Sequence, residues 1–113
     1  MEEETQGFPG RAASKGIAYG KAVWIEHPNY ESSFFNEGDI LVTHMTDVDY
    51  LPLMRKAAAV VTSVGGRFSH ASVLCNQMKK PCVVSVQNTN RFHGIDVTVD
   101  GTKGIVFIGK RDV

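Results

Sequence analysis

The chain of 113 residues is 42% hydrophobic and 21% charged, a globular composition that fits one ordinary domain with one compact core. Its 12 basic and 12 acidic side chains cancel, which excludes a global field drawing the protein to nucleic acid or to an anionic membrane surface. No apolar run approaches the length of a bilayer span, and Met1-Glu2-Glu3-Glu4 is the opposite of a basic signal-peptide head, so the cytoplasm is the expected compartment.

Residues 1–12 read as a flexible N-terminal segment or linker, polar and acidic and then rich in Gly, Pro, Ala and Ser. The ordered domain is expected over 13–113, with its first strand opening near Gly16. The run from Gly16 to Glu26 is β-prone, and His27 to Glu37 follows as a loop. Asp39 to Thr43 reads as a short buried strand. Thr46-Asp47-Val48-Asp49 then offers several capping oxygens before a helix with Pro52 in its first turn, ending near Ala57. Ala58 to Thr62 is a compact apolar strand that runs into Gly65-Gly66, after which Ala71 to Met78 can form a second helix. Lys79 and Lys80 suit the negative end of its dipole, and Pro81 stops it. Cys82 to Val86 reads as another buried strand. Asp96 to Val99 and Gly104 to Ile108 flank the turn dipeptide Asp100-Gly101, the pattern of a terminal hairpin.

This alternation of strands with two short helices predicts an α/β domain built in layers. Cys75 and Cys82, seven positions apart, have neither redox nor paired metal-ligand spacing and read as buried thiols. His27, His44 and His93 share no helical face at ligand spacing and read as surface or turn residues, with no metal site expected. Trp24, Tyr19 and Phe107 lie in β-prone runs and read as packing rather than as a stacking platform for bases.

His70 is the exception among the histidines. It follows Gly65-Gly66-Arg67-Phe68-Ser69 and stands where a strand hands over to a helix. Glycines let the backbone approach an anion, the first helical turn presents N–H groups and a positive dipole end, and Arg67 adds a forked cation. Neutral imidazole carries a lone pair on one ring nitrogen and can attack phosphorus. Ser69, Ser72 and Thr62 are candidate hydroxyls for the charge that results. This assembly supplies a nucleophile and a cradle, but no nucleotide site and no P-loop.

The segment Val60 to Val73 resembles the phosphohistidine signature of the mobile, or swivelling, domain of phosphoenolpyruvate-utilising enzymes, among them pyruvate phosphate dikinase, phosphoenolpyruvate synthase and enzyme I of the sugar phosphotransferase system. The likeness continues through Ala13 to Ala22, Gly38 to Thr43, Thr46 to Pro52, Pro81 to Val84 and Val99 to Val106, roughly residues 13–108 in family order. It implies a three-layer β/β/α domain that is a phosphotransferase part rather than a complete enzyme, with His70 as the phosphoryl carrier. It also implies that Arg67 and Thr46 contact phosphoryl oxygens and that Gly65 and Gly66 form the turn exposing the histidine. Partners are expected in cis or in trans: a phosphoenolpyruvate- or pyruvate-binding domain with Mg²⁺, and a nucleotide-binding domain or carrier protein. No cofactor is expected on this domain itself.

The chain departs from the family pattern at Phe68, where threonine is usual, and at Lys15, Val48 and Ser72, where two prolines and an alanine are common. Two functions therefore compete: a phosphoryl carrier, or a swivelling domain that lost phosphotransfer and serves as a regulatory or binding module, with Phe68 as the support for the second. Thr46 has an equally ordinary reading as a helix cap.

Overall fold

Alternate residues along the central strands feed two separate cores, and this alternation sets the architecture. The structure, a computed structural model, describes residues 7–112. Its strands are β1 (Gly7–Pro9), β2 (Arg11–Ser14), β3 (Ile17–Trp24), β4 (Ile40–Thr43), β5 (Ala59–Thr62), β6 (Cys82–Val84), β7 (Asp96–Asp100) and β8 (Ile105–Ile108). Helices α1 (Pro28–Glu31), α2 (Leu51–Lys56) and α3 (His70–Met78) lie between them. Leu41, Val60, Cys82 and Val84 turn toward the helices, in one cluster with Leu53, Met54, Ala71 and Cys75. Ile40, Val42, Ala59, Val61 and Val83 turn the other way and pack with Val97, Val99 and Val106 of β7 and β8. Period-two strands with both faces apolar need a layer on each side, so the fold is β/β/α in three layers.

The strand order is β1-β8-β7-β3-β4-β5-β6-β2. β3 belongs to both sheets: Ile17 to Lys21 pair antiparallel with β7, whereas Ala22 to Trp24 pair parallel with β4. β4, β5 and β6 continue in parallel. Their carboxyl ends therefore share one edge, the usual place for a site in such sheets. The terminal hairpin forms as expected, with Asp100 opposite Ile105. No helix among the described residues is long and apolar enough to cross a membrane.

Two expectations need correction. The linker reading of residues 1–12 does not hold for Gly7 to Ala12: β1 pairs antiparallel with β8 and β2 with β6, closing both outer edges of the sheet. The chain crosses from one edge to the other at Gly10, whose N–H donates to Gly104 O at 2.8 Å. Residues 1–6 of the expected linker lie outside the described residues. The loop from His27 to Glu37 contains α1 and a 3-10 turn at Ser32–Phe34. Glu31 holds it to the strand end, accepting from the N–H groups of Glu26 at 2.8 Å and His27 at 2.7 Å.

Cys75 and Cys82 are free thiols with no exposed surface. A hydrogen bond with Cys75, together with burial, pushes the Cys82 thiol well above its usual range. The thiolate is the reactive form. A thiol reagent added to the native protein is therefore expected to modify neither cysteine, and to modify both once denaturant is added. Rapid native labelling would contradict their placement.

Candidate functional site

The site is built from the ends of β4 and β5 and the start of α3. After β5 the chain is tied back to β4, since the N–H groups of Ser63 and Val64 both donate to His44 O at 3.1 Å. Thr62, fully buried, donates its hydroxyl to Val64 O at 2.8 Å. Gly65 then takes φ +133°, a region that L side chains rarely adopt, and an added Cβ there would stand 3.0 Å from Ser69 Oγ. Its carbonyl accepts from Ser85 Oγ at 2.7 Å. Ser85 itself sits at φ 62°, and nothing in its sequence context marks it.

Gly66 has open space where a Cβ would be. Its carbonyl, in contrast, is gripped by three donors: Ser69 N at 3.1 Å, Ser69 Oγ at 2.9 Å and Ser72 Oγ at 2.6 Å. Ser69 is the N-cap of α3, and its Oγ accepts from Ser72 N at 3.4 Å. Ser72 is fully buried. Both hydroxyls are thus committed to the turn, which they lock ahead of the helix.

His70 is the first residue of α3 and is half-buried. Its Nδ1 lies 2.8 Å from Thr46 Oγ1. Thr46 is only 4% exposed, so this contact is shielded from competing water. The cap that Thr46 was also suited to provide belongs to its neighbour: the Asp47 carboxylate accepts from Asp49 N at 2.9 Å. Adjacent capping oxygens in Thr46-Asp47 look alike in sequence, and only the fold separates their partners. With Nδ1 engaged, Nε2 is the ring nitrogen left to meet a ligand.

Arg67 and Phe68 are exposed on the turn between the two gripped residues, Phe68 at 86%. The structure therefore brings His70 and Thr46 into contact, gathers Gly65, Gly66, Ser69 and Ser72 into one braced turn, and leaves Arg67 at the surface beside them. The other histidines stand apart. His93 Nδ1 accepts from Trp24 N at 3.0 Å, and among the described residues no group of three His, Cys, Asp or Glu side chains is placed to hold a metal ion.

Thr46→Val tests the imidazole contact. On a carrier reading of His70, removing one hydrogen bond to the ring while keeping its volume is expected to slow phosphoryl labelling about tenfold, with Thr46→Ser retaining most of the rate. Labelling time courses of the three proteins measure it. An unchanged rate in the valine variant would leave Thr46 without a role in orienting the ring.

A family model described as PEP-utilising enzyme, mobile domain, matches residues 35–104. A probable phosphoenolpyruvate synthase of Staphylothermus marinus is 45% identical over 103 residues, covering 88% of this chain and 12% of its own length. The phosphoenolpyruvate synthase of Pyrococcus furiosus is 43% identical over 111 residues, covering 96% of this chain and 14% of its own. Among solved structures, an Enzyme I (nEIt) protein superposes with TM-score 0.58 at 28% identity, over 67% of this chain and 32% of that one. Aconitase X of Thermococcus kodakaraensis shares the fold alone, with TM-score 0.64 at 16% identity over 92% of this chain and 98% of its own. The chain thus spans about an eighth of the length of the synthases it matches. Matched over more than half its residues and closely related to a defined part of those synthases, the chain belongs to the mobile-domain family of PEP-utilising enzymes.

Proposed function

We propose that this domain carries a phosphoryl group on Nε2 of His70 between two sites that lie on other domains, in the cytoplasm. The Thr46 contact on Nδ1 supports this reading most directly, because it aims the ring and reserves the opposite nitrogen for phosphorus. In the first half-reaction the Nε2 lone pair forms an N–P bond as the donor's P–O bond breaks and the leaving group departs with the electron pair. In the second, an acceptor oxygen attacks phosphorus, the N–P bond breaks, and the imidazole is restored. Arg67 and the dipole of α3 offset the added charge, while Gly65, Gly66, Ser69 and Ser72 hold the turn that presents the ring.

Relatedness to proteins named phosphoenolpyruvate synthase supports phosphoenolpyruvate or pyruvate as the ligand of one partner domain, and the same reading assigns a nucleotide or a carrier protein to the other. Mg²⁺ belongs with those partners and neutralises phosphate charge there. The domain alone completes no cycle.

Incubation with phosphoenolpyruvate and a donor domain from a related synthase, followed by alkaline quenching and mass spectrometry, is expected to place one acid-labile phosphoryl group on His70. Labelling elsewhere, or none, would sink the proposal. Phe68 favours a second reading, a domain that has lost transfer and acts as a regulatory or binding module. If the parent stays unlabelled and Phe68→Thr becomes labelled, that second reading is the correct one.

A further inference from the structure

We infer that Ser85 is a positioning residue for His70: a β-bulge at the end of β6 aims its hydroxyl at the Gly65 carbonyl and so sets the turn on which the ring stands. The inference deepens the carrier reading and rests on it. Two observations establish the bulge. Val60 stands opposite Cys82 and its N–H donates to Pro81 O at 3.1 Å, a register in which the N–H of residue 85 would reach Thr62 O; the N–H that does so, at 3.1 Å, belongs to Val86. Residues two apart on a regular strand share a face, yet Val84 packs with Leu53 and Cys75 under the helices while Val86 packs with Val61 and Val97 in the other core. One residue is inserted into the ladder, and Ser85 is that residue.

Ser85 takes φ 62°, in the left-handed region that glycine enters freely and other residues enter at a cost. What the serine adds is its hydroxyl, which donates to Gly65 O at 2.7 Å across 20 positions of sequence. Bulges beside active sites re-aim side chains in this way. The turn lies against the end of β6, where a Cβ on Gly65 would stand 3.6 Å from Val84 Cβ.

The next carbonyl, Gly66 O, is held by Ser69 Oγ and Ser72 Oγ at the start of α3. Each peptide group is a rigid plane, so two successive planes are pinned, one from β6 and one from α3. Gly66 lies between them, and its two torsions, free in any other glycine, are set. With the first plane released, the start of α3 can shift against Thr46, whose contact with His70 Nδ1 at 2.8 Å aims the ring. The fold does not hang on this one hydroxyl. Val86 N still donates to Thr62 O, and Ser63 Oγ lies 2.5 Å from Thr89 Oγ1, so the ends of β5 and β6 stay joined without it.

The test pairs thermal melts with labelling by phosphoenolpyruvate and a donor domain from a related synthase, at a temperature where every variant is folded. Ser85→Gly removes the hydroxyl and accepts φ 62° freely. It is expected to melt within a few degrees of the parent and yet to label about tenfold more slowly at saturating donor domain, with the half-saturating concentration unchanged. Ser85→Thr keeps the hydroxyl but puts a β-branched residue at φ 62°, so it is expected to melt lower and to label within about twofold of the parent. A hydroxyl that only held the fold together would make the rate follow the melting temperature, and that order would overturn the inference. The imidazole nitrogen signals of His70, read by nuclear magnetic resonance, separate the positioning from the carrier reading. Ser85→Gly is expected to move the Nδ1 signal in the direction that Thr46→Val moves it, since both loosen one contact. If the parent takes no label while the signal moves in this way, the positioning stands and the carrier falls. If the parent is labelled and neither rate nor signal responds to Ser85→Gly, the carrier stands and the positioning falls.

Discussion

Replacing His70 with alanine is expected to abolish phosphoryl labelling while leaving the fold intact. Alanine has no nucleophilic nitrogen, and no neighbouring group can substitute for the ring: Ser69 and Ser72 are engaged with Gly66 O, and Thr62 with Val64 O. The structural cost is small. His70 is half-buried, its one described side-chain hydrogen bond is the contact to Thr46, and alanine is the best helix former at a position that Ser69 already caps. The loss of stability is expected to stay near 1 kcal/mol, mostly from the Thr46 hydroxyl left without its partner. Quantitative mass spectrometry after alkaline quenching, paired with a thermal melt by circular dichroism, measures both sides of this statement. A variant that melts like the parent and still takes up phosphoryl would remove His70 from the mechanism. Thr46→Val, slowed but not silenced, belongs between the two.

The largest effect on stability is expected far from the chemistry, at Gly101→Ala. Gly101 follows the last residue of β7, and its N–H donates to Gly16 O at 2.8 Å. An added Cβ would collide with Ser14 O and stand 2.9 Å from Cys82 N and 3.1 Å from Ser14 C. All three are main-chain atoms, and Ser14 and Cys82 are paired across β2 and β6. No side chain can rotate aside, so the edge strand β2 must move or the hairpin must tilt. Overpacking against backbone is expected to cost about 3 kcal/mol or more, a fall in melting temperature of roughly 12 °C or more for a domain of this size. Gly66→Ala is the control. Its Cβ would meet nothing within 4 Å, and its melting temperature is expected to stay within a few degrees of the parent, on the order of 1 kcal/mol or less. Equal melts for the two variants would refute the close packing of β2 over the hairpin turn.

The central strands and α3 were legible because their signals are local. Runs such as Val60-Val61-Thr62 are apolar on both faces, and Ser69 before a helical period is a cap. The Asp100 turn was legible for the same reason: its carboxylate accepts from Thr102 N at 3.1 Å and Lys103 N at 3.0 Å, all within one loop. β1 and β2 were not, because a sheet edge is recruited through main-chain hydrogen bonds, and exposed Arg11 and Ala12 leave no hydrophobic period to read. The helical turns at Pro28–Glu31 and Ser32–Phe34 were hidden by their shortness, and Phe35, 2% exposed, packs the segment's end into the core. At the site, the residues of the turn stand next to one another in sequence, so their proximity was legible. The pairing of Thr46 with His70 crosses 24 positions, and its geometry exists only once β4 and β5 lie side by side.

β1 and β8 run antiparallel, with Gly7 opposite Phe107 and Pro9 opposite Ile105. The chain thus enters its first strand and leaves its last one at the same spot on the sheet margin. Any polypeptide joined at these two ends pulls on one point instead of on opposite poles. Tension in such tethers passes into the paired strands at the margin, and β7 and β3 stand between that margin and the strand ends that hold His70.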